Sequence, residues 1–498
     1  MNIKSLLAKP FASVVHRQIK KEQLTAVADQ QSILNQLVKS AKGTQFGKDH
    51  HFDQITDYAS FKNAVPIRDY EGFREYIDQI KKGTQNVLWK GLPLYLAKTS
   101  GTTSGIKYIP ISKDSIGNHI SGARNAILTY MSGSGNTNFA GGKMIFLSGS
   151  PELERVGGIP TGRLSGIVNH HIPQYLRGNQ LPSFETNCIE EWETKLDKIV
   201  DETLGKDLTL IGGIPPWMQM YFDRIVKKTG KPVIASFPNL QVLVQGGVNF
   251  EPYKAKLWET IGKNIDTIEL FPASEGFFAF QDDRNAPGLL LNTNSGIFYE
   301  FIPIAEVHLE NPTRLSLGEV KLGEQYALII NSNAGLWGYS IGDIVKFVST
   351  SPYRIIVAGR VKHFISAFGE HVIGEEVEKA ILKVANQVQA SVVEFTVAPY
   401  IQQGQGQSYH EWFIEFEKAP ADINTFAQQL NENMCLQNVY YQDLIDGKIL
   451  APLRISVLQK NAFIDYMRSK GKLGGQNKVP RLSNDRVIAD DLIQYISH

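Results

Sequence analysis

Lys98-Thr-Ser-Gly-Thr-Thr-Ser-Gly-Ile-Lys107-Tyr-Ile-Pro110 packs small residues, hydroxyls and a cation into one short turn between two apolar runs. That composition suits a loop wrapped around a phosphate chain. Gly101 and Gly105 let backbone N–H groups converge on an anion, Ser100, Thr102, Thr103 and Ser104 add hydroxyl donors, and Lys107 supplies charge. A P-loop is excluded, because its lysine directly follows the second glycine and is followed by Ser or Thr, whereas Ile106 and Tyr108 flank this one. A plain Gly/Ser/Thr surface loop has the same composition, so the surrounding chain decides.

Upstream, Gln18 to Lys42 carries apolar residues at helical spacing (Leu24, Val27, Ile33, Leu34, Leu37, Val38), and Asp69 to Lys82 reads as a short amphipathic helix. Downstream, Ser112 to Met131 reads as a helix, Ser132 to Gly142 as a turn-rich connection, and Met144 to Ser148 as a strand. Strand and helix signals then alternate through Leu208–Ile211, a helix over Pro216–Lys228, Val233–Ala235, Val242–Gln245 and Thr267–Phe271. That alternation is the rhythm of an α/β domain. From Gly288 to Phe347 strands dominate, at Gly296–Pro303, Glu306–Leu309 and Tyr326–Ile330, which predicts a mainly antiparallel section.

Composition bounds the function. A chain of 498 residues exceeds what one core usually fills, so two or more domains are expected. Lys plus Arg (51) nearly balances Asp plus Glu (50), which gives no electrostatic case for nucleic acid or an anionic membrane and favours a small-molecule substrate. Cys188 and Cys435 are too few and too far apart for a disulfide framework or a cysteine metal site, so a reducing cytoplasm is the expected location. Lys9, Pro10 and His16 interrupt any signal-peptide core near the N-terminus, and no apolar run approaches a membrane span.

Four further clusters share the logic of the first loop. Phe271-Pro-Ala-Ser-Glu-Gly-Phe-Phe278 follows an apolar strand, placing Ser274 and Glu275 where open α/β sheets bind ligands. Glu275 can hold a magnesium ion against a triphosphate, or it can be a solvated surface carboxylate. Tyr339-Ser-Ile-Gly-Asp343 sets a carboxylate after a glycine turn, suited to the two hydroxyls of a ribose, although Asp343 also fits a plain turn. Ala358-Gly-Arg360 to Glu378 combines a Gly-Arg turn, an apolar strand, a glycine turn and an acidic helix start, which suggests entry into a small second domain. Gly471 to Arg481 is a Gly-rich loop carrying Lys478 and Arg481, basic either for chemistry or for solvation. Asn169-His-His171 reads as surface or core, since adjacent rings rarely face one ligand, and His363 and His371 read as structural. Trp217, Met218 and Met220 suit an apolar pocket wall or ordinary core.

Together and in order, Thr99 to Lys107, Ala273-Ser-Glu275, Tyr299-Glu-Phe-Ile-Pro303, Gly335 to Asp343 and Gln476-Asn-Lys-Val-Pro-Arg481 resemble the adenylate-forming enzymes. Within that superfamily the chain is most similar to the auxin-responsive promoter family of acyl acid amido synthetases. The segment Gly359 to Glu378 resembles the wider superfamily's hinge signature. The resemblance implies a large N-terminal adenylation domain (1–359) of α/β sheets plus an antiparallel β section, and a small, mobile α+β C-terminal domain (360–498). It implies ATP and Mg²⁺ as cofactors, and a small carboxylic acid and an amine, an amino acid, as substrates. Ser100, Gly101, Thr102, Thr103 and Lys107 would cradle the ATP phosphates, Ala273 and Ser274 would lie near the adenine, and Glu275 would bind magnesium. Asp343 and Arg360 would hold the ribose, Lys362 would mark the hinge, and Lys478 would act during adenylation. An acyl-CoA synthetase shares the first half-reaction, and a nucleotide sensor without turnover is a further alternative. Plant members carry arginines where this chain has Gly338 and Ser340, and the stretch Ile211 to Met218 differs too much to transfer a hormone substrate.

Overall fold

The computed structural model describes residues 3–100, 106–172, 177–247, 250–307, 309–361, 364–365, 372–401, 407–446, 450–473 and 479–497. The chain forms two compact units, Met1–Ile341 with Val345–Ile356, and Gly342–Ile344 with Val357–His498.

In the first unit the strands are β1 (Tyr95–Ser100), β2 (Ile106–Ile111), β3 (Lys143–Phe146), β4 (Glu154–Val156), β5 (Ile159–Gly162), β6 (Gln180–Leu181), β7 (Leu208–Gly213), β8 (Val242–Gly246), β9 (Asp266–Ala273), β10 (Gly276–Phe280), β11 (Leu289–Leu291), β12 (Ile297–Pro303) and β13 (Gln325–Ser332). They are followed by β14 (Tyr339–Thr350) and β15 (Tyr353–Arg360), of which Gly342–Ile344 inside β14 and the end of β15 from Val357 belong to the second unit. A four-stranded sheet has the order β2-β1-β5-β4, and an eleven-stranded sheet the order β12-β13-β14-β15-β11-β10-β9-β8-β7-β3-β6.

The large sheet changes character along its width. β3, β6, β7, β8 and β9 are parallel neighbours. Leu208 to Ile211 and Val242 to Val244 are buried without alternation, as strands covered on both faces must be. Beyond β9 the pairings β9–β10, β10–β11, β11–β15 and β12–β13 are antiparallel, which matches the predicted antiparallel section.

Local chemistry sets the helices around these sheets. Asp69 caps the helix Tyr70–Lys81 by accepting from the Glu71 and Gly72 amides, and Phe73, Ile77 and Ile80 form its buried stripe. The predicted N-terminal helix is two helices, Ile3–Leu24 and Ala26–Ala41. Gln30, on the buried face of the second, donates to the Thr293 and Ile297 carbonyls and accepts from the Tyr299 amide, tying that helix to β12. The predicted helix after the first loop spans Ile116–Ser134 and ends at left-handed Gly135.

Two predicted strands are corrected. Val233–Ala235 lies in a one-turn helix, Val233–Ser236, entered from Pro232. The segment predicted as strand Glu306–Leu309 begins in a 3-10 turn, Ile304–Glu306. No described helix is long and apolar enough to cross a membrane.

The second unit has the small hairpin β16 (Phe364–Ile365) and β17 (Val372–Ile373), and the sheet β18-β19-β20, formed by β18 (Ser391–Tyr400), β19 (Tyr409–Lys418) and β20 (Arg454–Leu458). The helices Gly374–Gln387 and Ile423–Gln437 contribute Val377, Ile381, Phe426 and Leu430 to a core with Phe395 and Trp412.

Candidate active site

The first loop is closed by a hairpin. β1 and β2 pair with Ser100 opposite Ile106 and Thr99 opposite Lys107. Gly101, Thr102, Thr103 and Ser104 lie outside the described residues, as does the side chain of Ser100. Lys107 Nζ lies 5.6 Å from the centroid of the Tyr70 ring, within cation–π range. The Tyr70 hydroxyl accepts from the Tyr108 amide at 2.9 Å, and burial raises its pKa.

Glu275 sits on a tight turn. Ala273 pairs with Gly276, so Ser274 and Glu275 are the two residues joining β9 to β10, at the C-terminal end of the parallel series. A Cβ on Gly276 would lie 2.6 Å from Ile297 Cδ1, so the side chains of β12 pack closely against the turn next to Glu275. Ser274 is buried, and the Tyr339 hydroxyl donates to Glu275 Oε1 at 3.4 Å. Burial, then the charges of Glu275 and Asp69, push the Tyr339 pKa far above its ordinary value, so the phenol stays a donor.

The backbone joins the two halves of this cluster. The Arg68 amide donates to the Gly338 carbonyl at 2.9 Å and the Ser340 amide to the Arg68 carbonyl at 2.8 Å, which sets Asp69 and Tyr70 beside Tyr339. Beneath lies a buried polar strut. Glu300 accepts two bonds of 2.8 Å from Arg314, one of 2.8 Å from Asn331 and one of 3.0 Å from Tyr58. Asn331 Oδ1 accepts from the Gly338 amide, while Arg314 Nη1 donates to the Lys62 and Val65 carbonyls. One network therefore fixes both segments that carry Tyr70 and Tyr339. Tyr70, Tyr339, Arg314 and Asn331 had no assigned role in the sequence, because their grouping arises mostly from contacts 14 to 252 positions apart. The only sequence signal was the occurrence of Glu300 and Tyr339 inside two of the family-like segments.

The second unit holds the next pair. Arg360 Nε lies 3.1 Å from Asp343 Oδ1, with Asp343 largely buried and Arg360 half exposed. The glycine turn expected before Asp343 is a kink inside β14: Gly342 has φ +82°, and a Cβ there would meet the Arg360 guanidinium at 3.4 Å. Lys362, His363, His371 and Lys478 lie outside the described residues. After Lys478 the chain is fastened to β18. The Pro480 carbonyl accepts from Thr396 Oγ1 at 2.7 Å and the Arg481 carbonyl from the Val397 amide at 2.9 Å. The Arg481 guanidinium pairs with Glu378 and Glu394.

Elsewhere the readings separate cleanly. His170 bonds the Pro151 carbonyl and His171 the Tyr95 hydroxyl, so the two rings serve different partners. Among the described residues no group of three metal-ligating side chains occurs. Trp217 packs on Trp192 at 4.7 Å and Met218 is fully buried, which makes both core residues.

Family models for the GH3 N-terminal, central and C-terminal domains match residues 15–187, 290–360 and 375–487 in that order. The chain belongs to the GH3 family of acyl acid amido synthetases. Among curated GH3 relatives, indole-3-acetic acid-amido synthetase GH3.4 of Arabidopsis thaliana is 22% identical over 92% of this chain and 90% of its own. Jasmonoyl--L-amino acid synthetase JAR4 of Nicotiana attenuata is 22% identical over 91% of this chain and 90% of its own.

The fold matches a GH3.15 acyl acid amido synthetase in complex with 2,4-DB, with TM-score 0.80, 15% identity and coverage of 98% and 96% of the two chains. It also matches a 2-hydroxyisobutyryl-CoA ligase, with TM-score 0.58, 12% identity and coverage of 97% and 91%. The architecture is thus that of GH3 and adenylate-forming ligases, with a large N-terminal and a smaller C-terminal domain. Within the GH3 segments, Ser100 to Lys107 fall in the N-terminal match, Asp343 and Arg360 in the central one and Lys478 in the C-terminal one, while Ala273 to Glu275 lie between matches.

Proposed function

We propose that this protein is an ATP- and Mg²⁺-dependent ligase that converts a small carboxylic acid into an acyl adenylate and passes the acyl group to the amine of an amino acid. The observation carrying this reading is Glu275, set by a two-residue turn at the C-terminal end of β9 and contacted by the buried Tyr339 hydroxyl, in a GH3 chain. GH3 relatives named as amido synthetases, and the use of ATP by adenylate-forming ligases, support it. Both cysteines are free, which suits the cytoplasm.

The chemistry asks little of a nucleophile-activating group. A carboxylic acid with a pKa of about 4 to 5 is ionised at neutral pH and attacks the α-phosphate unaided. Neutralising anion meeting anion is the protein's task. Lys107, with Ser100, Gly101, Thr102 and Thr103, holds the phosphates; Ala273 and Ser274 border the adenine; Asp343 and Arg360 hold the ribose; and Lys478 stabilises charge on the departing pyrophosphate. Glu275 offers hard carboxylate oxygens of the kind magnesium prefers, and bound magnesium would neutralise phosphate charge. Lys362 serves as the hinge.

The test is turnover with ATP, Mg²⁺ and a panel of aryl, indolyl and fatty acids, each with an amino-acid mixture or coenzyme A, products being identified by mass spectrometry. An N-acyl amino acid formed together with AMP and pyrophosphate is the expected result. A thioester, or no acid-dependent turnover across the panel, contradicts the proposal.

A further inference from the structure

Arg163 leaves the end of β5 half-buried, and its guanidinium makes no hydrogen bond or ion pair among the described residues. Glu190 supplies an opposing charge without forming an ion pair, so burial prevails and lowers the Arg163 pKa. A desolvated, unpartnered cation is costly unless a ligand completes it. Its surroundings are built to hold it. A Cβ on Gly149 would fall 2.5 Å from Arg163 Cδ, so the side chain rests on the loop that follows β3. That loop is fixed from below by Lys195, only 2% exposed, whose Nζ donates to the Ser148 carbonyl at 2.9 Å and the Asn187 carbonyl at 2.6 Å. Lys195 adds a second positive charge, and burial together with Arg163 pulls its pKa down to about 8.

Placement decides which anion fits. β5 runs parallel to β1, with Ala97 beside Gly162, so Arg163 emerges next to the strand that leads into Ser100. β2, carrying Lys107, pairs on the opposite edge of β1, and residues 101–105 join β1 to β2. The loop after β3 and the turn bearing Glu275 share the C-terminal edge of the parallel series β3-β7-β8-β9. Three strand spacings separate them, about 14 Å, which sets an anion at Arg163 apart from the Glu275 turn.

We propose that Arg163, with Lys195 behind it, binds a carboxylate that takes no part in adenylation: the α-carboxylate of the acceptor amino acid, or the second carboxylate of a dicarboxylic acyl substrate. The planar guanidinium can grip either in a bidentate fork. This inference rests on the amido synthetase reading.

The experiment compares wild type with Arg163→Gln and Arg163→Lys. In amide formation, an amino acid is set against its carboxamide; in ATP–pyrophosphate exchange, a monocarboxylic acid is set against a dicarboxylic one. Arg163→Gln is expected to raise the KM of the amino acid at least tenfold and leave that of the carboxamide in place, with partial rescue in Arg163→Lys. A rise confined to the dicarboxylic acid supports the subsite and assigns it to the acyl substrate. An equal rise for amino acid and carboxamide, or a raised KM for ATP, overturns the proposal.

Thermal unfolding with succinate at constant ionic strength reads the subsite without turnover. Wild type should gain in Tm and Arg163→Gln should not, whereas an equal response in both proteins overturns the subsite. If wild type turns nothing over yet only Arg163→Gln loses the succinate response, the amido synthetase reading fails and the carboxylate site stands.

Discussion

The Tyr339 hydroxyl points at Glu275 Oε1 across 3.4 Å, from a ring only 1% exposed. Burial and the neighbouring charges hold the phenol protonated, so it stays a donor to that carboxylate oxygen. Tyr339→Phe removes the donor and keeps the packing against Phe73. A hydrogen bond of this length to a charged acceptor is worth about 1 kcal/mol, so the Mg²⁺ concentration for half-maximal pyrophosphate exchange should rise roughly fivefold, with Tm little changed. An unchanged Mg²⁺ requirement would mean that Tyr339 does not position Glu275.

Glu300 is completely buried and shares two hydrogen bonds with Arg314, itself 8% exposed. Glu300→Gln leaves the guanidinium uncompensated in the interior, a change that costs about 3 to 5 kcal/mol. Denaturant unfolding should show that loss, and Arg314→Met in the same chain should recover part of it. A loss below about 1 kcal/mol would deny the strut its structural weight.

His119 lies in the helix Ile116–Ser134 with Nδ1 unpartnered among the described residues, and burial pushes its pKa from 6.5 down to about 4. The unfolded chain takes up this proton near pH 6.5 and the folded chain only near pH 4. Stability present above pH 6.5 is therefore lost as pH falls toward 4, by about 2 kcal/mol at pH 5. His119→Asn abolishes that titration, so its stability should fall less than wild type between pH 7.5 and 5. Equal losses in denaturant unfolding at the two pH values would contradict the assignment.

Legibility followed the range of the interactions. The helix Tyr70–Lys81 was readable because Asp69 and the stripe Phe73, Ile77, Ile80 are local signals, and the parallel strands because burial on both faces leaves unbroken apolar runs. Val233–Ala235 misled because a short β-branched run looks the same in a strand as in the single helical turn after Pro232. The kink at Gly342 read as a turn because a positive φ suits both. Ser274 and Glu275 could be placed from the strand before them. The link of Glu275 to Tyr339, and that of Lys107 to Tyr70, could not, since each contact joins elements distant in the chain.

Exchange of labelled pyrophosphate into ATP, driven by a carboxylic acid, tests the central claim most directly, because it isolates adenylation from the acceptor. Wild type should exchange label only when an accepted acid and Mg²⁺ are both present, and Lys478→Ala should lower the rate roughly 10²- to 10³-fold. Exchange that persists undiminished in Lys478→Ala, or an absence of acid-dependent exchange across the panel despite bound ATP, would contradict it.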